Sequence, residues 1–131
     1  MNIATTVARI VLGLLFLAAG ASDFFITPPP LPGLAGAFND VFFKSHFVLF
    51  VAVAQITIGV LLLANRYVPV ALIILAAFLY NSFAFHITMM PSALFAPVIG
   101  VVLWLIVALK YRALFAPIFV AVPKIPDQTP R

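Results

Sequence analysis

The chain has 131 residues, 66% of them hydrophobic and only 8% charged, whereas a soluble surface carries about a quarter of its residues as Asp, Glu, Lys and Arg; lipid therefore covers most of it. Cysteine and glutamate are absent and the acids are Asp23, Asp40 and Asp127, which excludes thiol-disulfide exchange, thiolate metal sites and iron-sulfur clusters held by this chain, and leaves almost no room for a paired-carboxylate centre. The net charge of +4 does not mark a nucleic-acid binder, because the basic residues sit where membrane topology is decided.

Four apolar stretches have the length that crosses a ~30 Å hydrocarbon core, which takes roughly 20 apolar residues in a helix. The first runs from about Ile3 to Phe25. Arg9, an apolar run and then Ala19-Gly20-Ala21 also outline a secretory signal peptide, but the run continues through Phe24 and Phe25, so we read a retained span. Arg9, Gly13, Phe16, Gly20 and Asp23 share one of its faces. Pro28, Pro29, Pro30 and Pro32 then block helix formation. Next, Leu34, Phe38, Val41 and Phe42 recur at helical spacing opposite Asn39, Asp40 and Lys44, predicting a short helix on the outer surface.

The second span, Phe47 to Ala64, aligns Ala52, Gln55, Gly59, Leu62 and Arg66. Helices in lipid gain little from hydrophobicity and pack through small and hydrogen-bonding residues, so this face is expected to meet that of the first span. After the Asn65-Arg66-Tyr67 turn, with Pro69 tolerated in the first helical turn, the third span (Val68 to Met90) offers Ala77, Asn81, Ala84 and Thr88 in the same rhythm. The fourth (Ala93 to Leu109) offers Gly100, Trp104, Val107 and Tyr111, with Pro97 expected to bend or open it. Trp104 and Tyr80 are expected to pack against neighbouring helices. Residues 1–112 thus form a four-transmembrane-helix bundle. In 113–131, Ala113 to Val122 is interrupted by Pro117 and too short to span, so it is expected at the inner interface, ahead of a proline-rich tail without structure of its own.

Arg9, Arg66, Lys110, Arg112, Lys124 and Arg131 fall on one side of such a bundle and only Lys44 on the other. The bias toward basic cytoplasmic loops puts both termini inside and the long first loop outside.

Few residues offer chemistry. Asp23 lies near the outer end of the first span, where an acid is costly and has a pairing or functional reason. Gln55, Asn81 and His86 converge with it in depth, outlining a polar pocket whose donors, with Tyr80, could hold a quinone or a lipid. Single Gln and Asn side chains more often join helices, each contributing ~0.6 to 2 kcal/mol. Five residues put Asn81 and His86 roughly 140° apart, and Ser82 rather than Asn81 aligns with His86. Arg9 is ~21 Å from Asp23 along the helix and is expected to snorkel to the cytoplasmic interface. Gly13, Gly20, Gly59 and Gly100 are the helix-packing positions. His46 and His86 alone make a poor haem or metal site, and none is expected.

The opening Arg9-Ile10-Val11-Leu12-Gly13-Leu14-Leu15-Phe16-Leu17, the run from Gln55 through Asn65-Arg66-Tyr67-Val68-Pro69, and Asn81 with Phe85-His86 and Pro91 resemble the DoxX family of small bacterial membrane proteins, from about Arg9 to Phe119. The resemblance implies a four-helix bundle in a bacterial inner membrane, in a family linked to quinone-reducing thiosulfate oxidation and to redox-stress complexes. Many relatives carry an Asn-Lys pair near the end of the first span where this chain has Ser22-Asp23, so no role resting on that lysine transfers. The expectation is a non-catalytic accessory or structural subunit partnered by the bilayer and other membrane subunits, with no cofactor of its own. The alternative is a quinone-linked oxidoreductase component.

Overall fold

A computed structural model describes residues 1–126 and shows six helices, with no strand among the described residues. Helix α1 covers Ile3–Ser22, α2 Gly33–Lys44, α3 Phe47–Leu63, α4 Val68–Met89, α5 Phe95–Lys110 and α6 Arg112–Phe115. Asn2 starts α1 by accepting the Thr5 backbone N–H at 2.8 Å and the Thr5 hydroxyl at 2.7 Å, satisfying a donor that has no partner within the helix. The helix ends at Ser22, three residues before the expected Phe25, and the chain leaves through a turn into the proline segment.

Three helical stretches are long and apolar enough to cross a membrane: α1, α4, and Pro91–Lys110, in which a short 3-10 turn leads into α5. Helix α3 has 17 residues, about 26 Å of rise and at the lower limit for crossing. It meets α2 at 86°, through a corner where His46 adopts the left-handed conformation. With α3 upright, α2 therefore lies across the end of the bundle, resting on α3 and α4. The four long helices form a ring in which α1 touches α3 and α5, and α4 closes the other side. Leu12, Ile58, Leu62, Leu72, Leu75 and Val107 are fully buried at its centre.

The tightest contact is between α1 and α3. A Cβ added to Gly59 would lie 2.6 Å from the Leu17 nitrogen and 2.8 Å from the Gly13 carbonyl, and one on Gly20 would lie 2.7 Å from the Ala52 carbonyl. The backbones have approached as far as glycine allows. Arg66, grouped with this face by spacing, is exposed in the turn beyond it. That turn is tight because Asn65 and Tyr67 both adopt the left-handed conformation.

Several expectations are corrected. Arg9 does not snorkel: it is buried, and its Nη1 donates to the Leu62 carbonyl, with Leu63 O at 3.4 Å. The last carbonyls of α3 carry the negative end of the helix dipole; Leu62 O also accepts the Asn65 N–H at 3.2 Å, so the cation from the neighbouring helix chiefly answers the dipole. On α4 the packed face is Ala71, Leu72, Leu75 and Leu79, while Ala77, Asn81, Ala84 and Thr88 are exposed. Asn81 Nδ2 donates to Ala77 O at 2.9 Å and the Thr88 hydroxyl to Ala84 O at 2.7 Å, so neither depends on a neighbouring helix.

Pro97 does not break α5, because it is the third residue of the helix, where its missing N–H has no intrahelical acceptor. Gly100 is only partly buried, and an added Cβ would meet just the Leu79 Cδ2 methyl. Trp104 donates Nε1–H to Leu72 O at 2.9 Å and joins α5 to α4. Tyr80, by contrast, is 77% exposed. Leu34 and Val41 of α2 point away from the bundle, and Ala35 with half-buried Asn39 and Phe42 faces it. After α6 and the turn Ala116–Phe119 no further helix forms through Pro126, and the remainder of the expected tail, with Asp127 and Arg131, lies outside the described residues.

Candidate functional site

Laying α2 across the bundle leaves a cleft of about 460 Å³ between it and the ends of α3 and α4. Asp23, Asn39, Gln55, Asn81 and Ser82 supply its polar lining. Phe38 and Phe42 of α2, Phe47 of α3, and Phe78 and Phe85 of α4 supply the aromatic one. The rings form an arc: Phe85 to Phe38 is 5.4 Å between centroids, Phe38 to Phe42 5.7 Å and nearly parallel, and Phe42 to Phe47 5.6 Å. Phe78 is held by an edge-on contact of 5.1 Å with Phe16 of α1.

Of the residues singled out from the sequence, Asp23, Gln55 and Asn81 line this one cleft and His86 does not. His86 shares the face of Ser82 but lies one turn further along α4, past the cleft, and its Nδ1 lies 2.7 Å from the Ser82 carbonyl. Asn39 was missed, because α2 read as a surface helix with its polar residues turned to water. The sign available in the sequence was the proline segment, which returns the chain over the bundle rather than away from it.

The chemistry centres on Gln55. It is 7% exposed, and its Oε1 has no hydrogen-bond partner. A buried carbonyl left unpaired costs about 1–3 kcal/mol, so Gln55 is the side chain of the lining that would gain most from a hydrogen-bond donor. Asp23 is half-buried at the C-terminal end of α1 and is the only charged side chain in the lining. Lys44, the nearest cation in sequence on α2, is held by Asp40 at 2.5 Å on the exposed side. No group of three or more His, Cys, Asp or Glu side chains positioned for a metal occurs among the described residues.

A ring of apolar helices too hydrophobic for water, closed by an amphipathic cross-helix, defines a small four-helix membrane protein. The sequence matches DoxX over residues 4–87, well over half of the chain, and the protein belongs to the DoxX family. The match covers α1 to nearly the end of α4 and stops short of α5, so it does not extend to Phe119. No curated protein and no solved structure matches the chain.

Proposed function

We propose that this protein is a non-catalytic accessory subunit of a larger redox or energy-converting complex in a bacterial inner membrane, with both termini in the cytoplasm. The observation that carries this reading is the exposed face of α4, where Ala77, Ala84 and Thr88, with Asn81 at the rim of the cleft, make a narrow strip of small and self-bonded polar residues. Against lipid chains such a strip gains little; against another helix it permits close backbone approach and interhelical hydrogen bonds. The α4 face is the docking edge in this reading, and family membership supports a membrane setting. Purification of the native protein in mild detergent should bring larger membrane subunits with it. Ala84→Trp should release them while the variant stays helical and monodisperse. A wild-type chain that purifies alone from its native membrane would overturn the proposal.

The aromatic cleft favours a second reading, a quinone-linked component, because a planar ring fits between phenylalanines and the Asn81 and Gln55 amides are within its lining. Saturable quinone binding by the isolated protein, lost in Gln55→Ala, would promote that reading.

A further inference from the structure

The polar lining of the cleft mixes amides, a hydroxyl and one carboxylate; among them Gln55 Oε1 is a buried acceptor with no donor, and one N–H of the Asn81 amide is taken by Ala77 O. Asp23 brings the only formal charge in the lining and it is negative. It caps the C-terminus of α1, where the helix dipole adds further negative potential. Around these acceptors stand the phenylalanine rings, whose faces are electron-rich and attract cations. A phosphate would meet repulsion from Asp23, and a quinone, which only accepts hydrogen bonds, would gain nothing from the Asp23 carboxylate.

We propose that this cleft binds a primary-ammonium amphiphile: its N–H groups donate to Gln55 Oε1 and the Asp23 carboxylate, and its apolar body lies against Phe38, Phe42 and Phe85. The inference goes beyond the accessory role and stands without it, since every group named belongs to this chain. The volume of about 460 Å³ suits the head and first carbons of such a molecule, and is within the usual range of small-ligand sites. The same chemistry is offered by an aminophospholipid headgroup and by a free hydrophobic amine.

The test uses the full chain in dodecyl maltoside, which carries no ammonium group, with fluorescent 1-naphthylmethylammonium as the probe. Saturable binding is expected, with uncharged 1-ethylnaphthalene at least about tenfold weaker. Asp23→Asn, at a half-exposed position outside the helix seam, should weaken the cation about tenfold while circular dichroism and gel filtration stay unchanged. Gln55→Leu should act in the same direction. Displacement of the probe by phosphatidylethanolamine but not by phosphatidylglycerol would assign the site to a lipid headgroup; failure of both lipids to displace it would assign it to a free amine. Equal affinity for charged and uncharged naphthalenes, an unchanged affinity in Asp23→Asn, or tighter binding of 1,4-naphthoquinone than of the cation would overturn the proposal.

Discussion

Two faces of this molecule are written alike and used differently. Gly13, Gly20, Gln55 and Gly59 line the α1–α3 seam, and Ala77, Asn81, Ala84 and Thr88 line α4 with the same alternation of small and amide-bearing residues. The first is closed backbone to backbone; the second is open. The difference is one methyl group and one satisfied amide. Glycine lets α1 and α3 approach until a Cβ would not fit, and the approach buries the seam. Alanine holds a neighbour farther off, and Asn81 finds its acceptor on its own helix, so the bundle packs α4 by its leucines instead.

The strongest way to break the contrast is Gly59→Leu. It drives a side chain into the Leu17 backbone nitrogen, which has no rotamer to yield, and should destabilise the bundle by about 3 kcal/mol or more, read as a lower unfolding midpoint in detergent. Arg9→Leu comes next: the charge-assisted bonds to the end of α3 are lost, for about 2 kcal/mol by the same measurement. Trp104→Phe keeps one aromatic ring but loses the pyrrole ring and its interhelical bond, so about 1–2 kcal/mol is expected. Ala84→Leu on the open strip should leave stability within about 0.5 kcal/mol, since nothing packs there within the chain. Gly100→Ala should be similarly mild, because the Leu79 methyl it meets can move; a loss as large as that of Gly59→Leu would show that α5 is packed as tightly as α1.

Much of this architecture was legible in the residues. The apolar lengths place the spans, the proline run and the following amphipathic segment place α2, and the glycine spacing of α1 and α3 identifies faces that do meet. What escaped had a physical cause each time. Helix α4 is apolar on every side, so periodicity could not distinguish a lipid-facing strip from a seam, and the polar residues drew attention to the wrong side. The lean of α2 was misjudged for a related reason: Leu34 and Val41 can face lipid as well as protein, leaving Asn39 free to turn toward the cleft. At the candidate site, Asp23, Gln55 and Asn81 could be gathered by depth alone. The exclusion of His86 was not present in its angle, since Ser82 on the same face does line the cleft, and it and the unpaired Gln55 carbonyl required three-dimensional neighbours to be seen.

The bond from Arg9 to the end of α3 also has a temporal side. Its acceptor, Leu62, is 53 residues further along the chain, so a ribosome releases the guanidinium long before the carbonyl exists. During that interval α1 holds an unpaired cation that water or lipid phosphates must hold near the membrane face. Arrival of α3 replaces those temporary hosts with a permanent one, locking α1 in register only when the second membrane crossing is complete. Arg9 is thus a clasp that can close only after its partner on α3 has been made.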